Sequence, residues 1–338
     1  MRRWWAMLVP VLIAGCGESG RGLAPIRVEA LVTLGASSGD GAIATTPVVS
    51  ALHPDGFRIV IPAHSAIGTL PLVFTELGNY RESLDGDGTP AGSFDGAMFT
   101  RFGARDSVWV FDNSGRVLIF TPQLRYVRSV TLAAAPTDAI VLPDGRMLAL
   151  SAPATVQVLD TAGAVVRVIA VAPPSGTATQ LLIPGMNGTF WTSAIAGNWQ
   201  LQHWDTSGTR LGGLTAQPDW LVAGGSGAAA PESAPKLVAL WFDEGGRIWM
   251  VAQVADRGHH EESGATSTSQ ALSDDDKNYD SVVEVRDGKS GAVIATTRFD
   301  KCFLSSAGAG IMVHVVRTSA GWQQAELFRI AWDAATSR

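Results

Sequence analysis

The chain alternates between short apolar runs and polar turns. The runs are rich in β-branched, aromatic and aliphatic residues and are separated by Gly, Asp, Asn and Pro, as at Arg58–Ile61, Val108–Phe111, Arg146–Leu150 and Ile248–Val251. Runs of this kind, bounded by turn formers, are typical of strands. Beyond the first sixteen residues no stretch shows the sustained period of an amphipathic helix. We therefore predict an all-β protein without helices.

The turns recur at a nearly constant spacing. One series is centred on Gly56, Gly103, Gly145, Gly188, Gly246 and Gly308, and a second runs from Leu77-Gly78 to Asp287–Gly291. Both series have a period of about 42 residues once two stretches of unusual composition, 216–234 and 256–280, are set aside as insertions. Four strands in a repeat of about 40 to 50 residues are the signature of a β-propeller, because a single blade cannot bury both of its faces.

Six turns in the first series predict a six-bladed β-propeller. We expect five blades at 47–84, 97–132, 138–170, 179–214 and 236–299. The C-terminal region offers only three strands, near 302–306, 310–318 and 324–332, whereas the strand at 27–34 has no neighbour in sequence. This N-terminal strand is expected to complete the last blade, because pairing the two ends removes exposed edges from the ring.

The N-terminus has the pattern of an export signal. Two arginines precede an apolar run from Trp4 to Ala14, which is too short to span a membrane. The segment Leu12-Ile13-Ala14-Gly15-Cys16 resembles the bacterial lipobox. The resemblance implies that Cys16 carries the lipid and becomes the first mature residue, and Gly17 after it favours the outer membrane. The alternative is an ordinary cleaved signal with an incidental cysteine.

These observations divide the chain into three segments. Residues 1–15 are predicted to be a lipoprotein signal peptide, 16–25 a lipidated tether, and 26–338 a six-bladed propeller. The predicted location is the bacterial cell envelope, with the protein facing the periplasm or the surface.

A further resemblance rests on two stretches of the chain. Gly86–Phe94 resembles the Gly-x-Gly-Pro-Gly-Glu-Phe segment before the second blade of six-bladed propeller lipoproteins in the NHL-repeat and TolB-like superfamily. Asp106–Arg116 is similar to the strand-turn-strand core of the same family. Ser93 departs from the pattern, since the family has Glu there. The resemblance implies a fold rather than an activity, because its motifs are structural.

Charge and cysteine content narrow the possible partners. The chain has 25 basic and 31 acidic residues, a formal net charge of −6, and only 17% charged residues. It therefore lacks the basic field that collects nucleic acid, and we expect no nucleic-acid partner. Two cysteines, one of them the predicted lipid site, leave no internal disulfide. We expect a monomer.

Candidate chemistry is sparse on the predicted innermost strands, which contain one carboxylate, Asp138, one arginine, Arg101, and no histidine. Gluconolactonase-like propellers hold a metal with Glu, Asn and Asp at the central channel, and propeller lyases need histidines there. The sequence therefore assigns no catalytic residue, no metal ligand and no cofactor. A metal-dependent hydrolase or lyase with a channel-centred site stays as the alternative.

Other conspicuous residues have structural interpretations. The loop 256–280 alternates acidic residues like the start of a calcium loop, but Tyr279 replaces the required Gly, so we expect a solvated loop. Asp85–Gly88 is a shorter fragment of the same kind. Cys302 is expected to be a buried residue on an inner strand, and Trp220 a plug on one face of the ring. Trp109, Trp191, Trp249 and Trp332 are expected to fill interfaces between blades.

The function predicted from the sequence is that of a binding or scaffold module. It would be attached to the membrane through the lipid at Cys16 and would present its loops to a protein or glycan of the envelope.

Overall fold

The chain forms a six-bladed β-propeller. The structure, a computed structural model, describes residues 26–36, 39–62, 70–84, 94, 96–151, 154–171, 180–194, 199–216, 218–222, 235–256 and 278–332. Six antiparallel sheets of four strands each form the blades. The first strands of neighbouring blades contact one another and are innermost. The predicted fold and blade number are confirmed.

The strands follow the predicted blades closely. Blade 1 contains β2 (Pro47–Val49), β3 (Phe57–Pro62), β4 (Leu72–Thr75) and β5 (Tyr80–Ser83), and blade 2 contains β6 (Ala97–Phe102), β7 (Val108–Asp112), β8 (Arg116–Phe120) and β9 (Tyr126–Thr131). Blade 3 contains β10 (Pro136–Val141), β11 (Met147–Ser151), β12 (Thr155–Leu159) and β13 (Val165–Ala170). Blade 4 contains β14 (Gln180–Pro184), β15 (Phe190–Ala194), β16 (Trp199–Trp204) and β17 (Arg210–Ala216), and blade 5 contains β18 (Lys236–Phe242), β19 (Ile248–Ala255), β20 (Tyr279–Arg286) and β21 (Val293–Phe299).

Blade 6 joins the two ends of the chain. It contains β22 (Ser305–Ser306), β23 (Ile311–Arg317), β24 (Gln323–Trp332) and, as its outermost strand, β1 (Ile26–Leu34). β1 pairs antiparallel with β24, from Ile26 opposite Trp332 to Leu34 opposite Ala325. The predicted closure by the N-terminal strand is therefore present, and it leaves the ring without a free edge between blades 5 and 1.

The prediction that the chain has no helix is wrong by one turn. Residues Asp219–Val222 form a short helix, α1, after β17, and two 3₁₀ turns lie at Ala104–Asp106 and Met186–Gly188. All three are too short to show a helical period in sequence, which is why the pattern did not reveal them.

Apolar side chains between neighbouring blades form the core. Each blade alternates its side chains between two interfaces, so that one buried cluster joins blades 2 and 3 and another joins blades 5 and 6. Trp109 is fully buried in the first cluster and Trp249 lies in the second. Trp191 and Trp332 pack partly buried against interface clusters. The four tryptophans occupy the predicted interfaces.

The connections fall on two faces of the ring. We call the face with the turns between first and second strands, and between third and fourth strands, the turn face. Both predicted series of turns lie on it. These turns are short and are closed by backbone hydrogen bonds, such as Gly145 N to the Leu142 carbonyl at 2.9 Å. The opposite loop face carries the strand ends that are joined from second to third strands and from blade to blade, and most of both predicted insertions lies outside the described residues.

Candidate functional site

Arg101 and Asp138, the two charged residues predicted on the innermost strands, contact each other. Arg101 Nη2 lies 2.8 Å from Asp138 Oδ1. The same carboxylate oxygen accepts the backbone N–H of Ala139 at 2.8 Å, and Oδ2 accepts the N–H of Leu182 from blade 4 at 2.9 Å. Arg101 also donates to the Ala139 carbonyl at 2.5 Å. One ion pair therefore ties blades 2, 3 and 4 together near the channel.

This arrangement has the character of a structural strut. Both Asp138 oxygens accept N–H groups, and the Asp138 side chain is only 12% exposed. Three N–H donors occupy three of the roughly four lone-pair sites of this carboxylate and fix its orientation. Within the described ranges, no three His, Cys, Asp or Glu side chains lie close enough together to hold a metal ion.

The other predicted residues divide between those the structure describes and those it does not. Cys16, almost all of Gly86–Phe94, and residues 257–277 of the acidic loop lie outside the described residues. Cys302 is buried as expected, but it lies three residues before β22 rather than on the strand. Trp220 lies in α1 and packs partly buried against the cluster between blades 4 and 5. Across the described part of the chain, no helix is long and apolar enough to cross a membrane.

A comparison of equivalent positions singles out blade 4. In five blades the third and fourth strands form a hairpin with a bulge, and the third-strand residue just before the bulge can be aligned. That residue is a buried aliphatic in four blades, namely Val73, Ile119, Val158 and Val285. In blade 4 it is His203, which is only partly buried. Sequence reasoning missed this residue, although an alignment of the third strands would have shown a histidine among valines and isoleucines.

The cross-strand neighbour of His203 also departs from the repeat. Arg128 and Arg167 occupy the outer-strand position in blades 2 and 3, whereas blade 4 has Gly212. The φ angle of Gly212 is not positive, and a Cβ built on it would meet no atom within 4 Å. The backbone therefore does not require glycine here, and the missing side chain leaves open space.

Aromatic rings stack beside this space. The Trp191 and His203 rings are 4.1 Å apart and nearly parallel, at 5°. Phe242 from blade 5 approaches Trp191 at 5.3 Å. His203 Nε2 lies 2.8 Å from Thr189 Oγ1. Burial lowers the pKa of His203, so the imidazole is neutral at neutral pH. We call the region formed by Trp191, His203, Gly212 and Phe242 the notch.

The equivalent region between blades 2 and 3 is closed. There the turn between the third and fourth strands of blade 3 packs onto blade 2, and a Cβ on Gly163 would lie 2.9 Å from Ile119 Cδ1 and 3.6 Å from the Trp109 ring. Between blades 3 and 4, Gly208 makes the same approach to Ile169 at 3.4 Å. In blade 5 the equivalent glycine, Gly291, would meet nothing within 4 Å.

A buried ion pair in blade 5 contacts the turn 287–292, which contains Gly291. Glu284 and Arg286, both nearly fully buried on β20, form an ion pair, and Arg286 Nη1 donates to the Gly291 carbonyl at 2.8 Å. Burial raises the pKa of Glu284, and Arg286 opposes that rise. The turn 287–292 has six residues where the turns 160–164 and 205–209 have five. The added residue and the bond to Arg286 set the turn apart from those that close onto the preceding blade.

Comparisons with known proteins support the fold. No protein-family model matches the chain, and no curated protein matches it. Among solved structures, the chain is similar to a catalytically inactive variant of virginiamycin B lyase from Staphylococcus aureus, solved with quinupristin. That similarity has a TM-score of 0.50 and 10% identity over 91% of this chain and all of that one. It is also similar to U3-55K, with a TM-score of 0.51 and 11% identity over 86% of this chain and 77% of that one. At this identity the similarity shows the fold alone.

Proposed function

We propose that this protein is a lipid-anchored β-propeller of the bacterial cell envelope that acts as a binding or scaffold module. The observation that carries the proposal is the use of the polar groups on the inner strands. Arg101 and Asp138 form hydrogen bonds that join three blades, so these charged side chains stabilise the ring rather than take part in a reaction. A rigid ring of this kind is suited to present surfaces to a partner.

The anchor is supported by the order of segments along the chain. Nine residues, 17–25, separate Cys16 from the start of β1 at Ile26. A fully extended chain of this length reaches roughly 30 Å, which is enough to hold the ring beside a bilayer. A single thiol at Cys16, without a second acylated residue, would rely on the diacylglycerol of the lipoprotein class for stable attachment.

Metabolic labelling with a radioactive fatty acid tests the anchor. The wild-type chain is expected to take up label and to fractionate with membranes, whereas Cys16→Ala is expected to lose both. Cys302→Ala is the matched control, because that thiol is buried inside the ring and should not affect labelling. Equal labelling of the wild type and Cys16→Ala, or labelling of neither, would contradict the proposal.

Metal analysis of the purified chain tests the alternative of a metal-dependent hydrolase or lyase. A binding module is expected to hold no stoichiometric calcium or zinc at Asp138. Stoichiometric metal that is lost in Asp138→Asn would overturn the module and favour the enzyme. The asparagine variant keeps only one of the two acceptor oxygens, so its thermal unfolding is measured alongside to separate loss of a metal ligand from loss of the strut.

A further inference from the structure

One position of the repeat carries a charge in blade 1 and an apolar side chain in the other blades. It is the second-strand residue directly opposite the third-strand residue that follows the register shift to the outer strand. In blades 2 to 6 this residue is apolar and fully buried, namely Val108, Met147, Phe190, Ile248 and Met312. In blade 1 it is Arg58, which is only 5% exposed. A guanidinium at such a core position requires a compensating partner.

Arg58 has no anionic partner in the part of the chain that the structure describes. Its Nη1 donates to the Ser50 carbonyl at 3.1 Å, whereas its Nε is buried and has no hydrogen-bond partner among these residues. Burial lowers the pKa of Arg58, and no neighbouring charge contributes to that change. The guanidinium still stays protonated at neutral pH, because arginine is not deprotonated in proteins. Arg58 is therefore a buried positive charge with an unused donor.

Arg58 points into the interface between blades 6 and 1. Directly opposed residues of an antiparallel pair lie on the same face of the sheet, and Phe74, opposite Arg58, belongs to the apolar cluster that joins these two blades. Ser305 of blade 6 lies opposite Val313 of the same cluster, so it is on the face that packs against blade 1. Ser305 Oγ is also buried without a hydrogen-bond partner in the described ranges. Both sheets thus carry an unpaired polar group into one apolar interface.

Small residues border the turn-face end of this interface. Residues 307–310, the turn between the first two strands of blade 6, are Ala-Gly-Ala-Gly, whereas the equivalent turns of blades 3 and 5 each carry an Asp and an Arg. A Cβ built on Gly308 would lie 3.4 Å from Cβ of Ala51, the exposed residue that follows Ser50. On the blade 6 side, the approach to Arg58 is therefore bordered by side chains no larger than a methyl group.

From these features we propose that Arg58 binds the carboxylate of a small organic acid between blades 6 and 1. The inference goes beyond the binding or scaffold role and does not depend on the lipid at Cys16. A carboxylate accepts two parallel N–H bonds from one edge of a guanidinium, so a ligand on the edge that contains Nε would satisfy the unused donor. The Ser305 hydroxyl offers a further donor from the opposite sheet.

The single charge of Arg58 favours a monocarboxylate over a phosphate. One carboxylate neutralises one guanidinium, whereas a phosphate group with a charge of about −1.5 to −2 would leave negative charge uncompensated in an apolar interface. Phe74 and Ile311 of the surrounding cluster favour a short aliphatic chain on the acid. Because Arg58 is nearly fully buried, the carboxylate of a small molecule reaches it more readily than one on the surface of a folded protein.

Calorimetric titration of the full chain with sodium acetate, propionate and butyrate, at constant ionic strength in sodium chloride, tests the proposal. At least one acid is expected to bind with a dissociation constant of about 10 mM or tighter and to raise the melting temperature. Arg58→Met installs the residue found at this position in blades 3 and 6, and it should lose both effects. Arg81→Met, which removes an exposed arginine from the outer strand of the same blade, is the matched control and should bind like the wild type.

Stability in chloride alone guards against misfolding as an explanation. Arg58→Met should unfold at a higher temperature than the wild type, because an apolar side chain replaces an unpaired buried charge, and added acid should narrow the difference. The proposal is overturned if no acid binds below about 100 mM, if Arg58→Met binds like the wild type, or if Arg58→Met is the less stable protein in chloride.

Two further ligands test the assignment to a small monocarboxylate. Inorganic phosphate and an acetylated alanine tetrapeptide with a free C-terminal carboxylate are both expected to bind more weakly than the best of the three acids. Tighter binding of either one would overturn the assignment. Fatty-acid labelling at Cys16 is read out separately, so failure of the anchor and failure of acid binding are distinguishable.

Discussion

The interface between blades 2 and 3 and the interface between blades 4 and 5 have the same backbone arrangement, but the first is closed and the second is partly exposed. Both carry a tryptophan on the second strand, Trp109 and Trp191, at equivalent places in register. Trp109 is sealed by Ile119 and by the Gly163 turn of the next blade. Trp191 instead stacks on a partly exposed histidine. The comparison teaches that the repeat sets where side chains point, while single departures from it decide whether a position becomes core or surface.

The largest expected effect comes from removing each tryptophan. Trp109→Ala should lower the free energy of unfolding by about 3 to 5 kcal/mol, because a fully buried indole leaves a cavity. Trp191→Ala should cost only about 1 to 2 kcal/mol, since the ring is partly exposed and its site can be filled by water. Urea unfolding of both variants measures the difference. Equal losses would show that the interface between blades 4 and 5 is as closed as the other.

Two glycine substitutions are expected to have smaller effects on the free energy of unfolding, and the two effects differ in sign. Gly163→Ala should destabilise by roughly 2 kcal/mol, because φ is +83° and the new methyl would press on Ile119. Gly212→Ala should be neutral or stabilise by up to about 1 kcal/mol, since its φ suits alanine and the space is open. Thermal unfolding, converted to free energies, checks the two signs. Destabilisation by Gly212→Ala would mean that the notch is already filled.

The smallest effect is a pH dependence that His203 adds to stability. Burial places the pKa of folded His203 below its ordinary value of 6.5, so the unfolded chain binds the proton more readily. The stability from the neutral imidazole is therefore present above about pH 6.5 and is lost as pH falls towards the folded pKa.

The measurement compares unfolding of the wild type and His203→Val between pH 7.5 and about pH 5. The wild type should lose more stability on acidification than the variant, and the difference isolates His203 from other titrating groups. Parallel pH profiles would show that burial does not perturb this imidazole.

Most of the fold could be predicted from the sequence because a turn is recognised from a few adjacent residues. The six glycine turns fixed the number of blades, and the lone strand at 27–34 predicted its pairing with the last strands. The inner-strand positions of Arg101 and Asp138 were also predicted. The hydrogen bond that Asp138 accepts from the Leu182 N–H was not predicted, since it depends on how blade 4 packs against blade 3.

The notch could not be predicted from the sequence in the same way. Trp191, His203 and Gly212 become neighbours only through strand register, and the bulge after His203 shifts that register by one residue. Nothing in the local pattern of blade 4 reveals which residue precedes the bulge. Sequence reasoning therefore searched for charged groups near the channel and passed over an aromatic residue whose unusual feature is its place in the repeat.

The pairing of β1 with β24 has a consequence for how the molecule is made. Gly35, just after β1, accepts a hydrogen bond from Gln324, 289 residues later. β1 must therefore wait for β24 before it has a pairing partner. Contacts so distant in sequence carry a large loop-closure entropy and slow folding. Five blades can stack in order of synthesis, but the ring acquires its sixth only once β24 has been made.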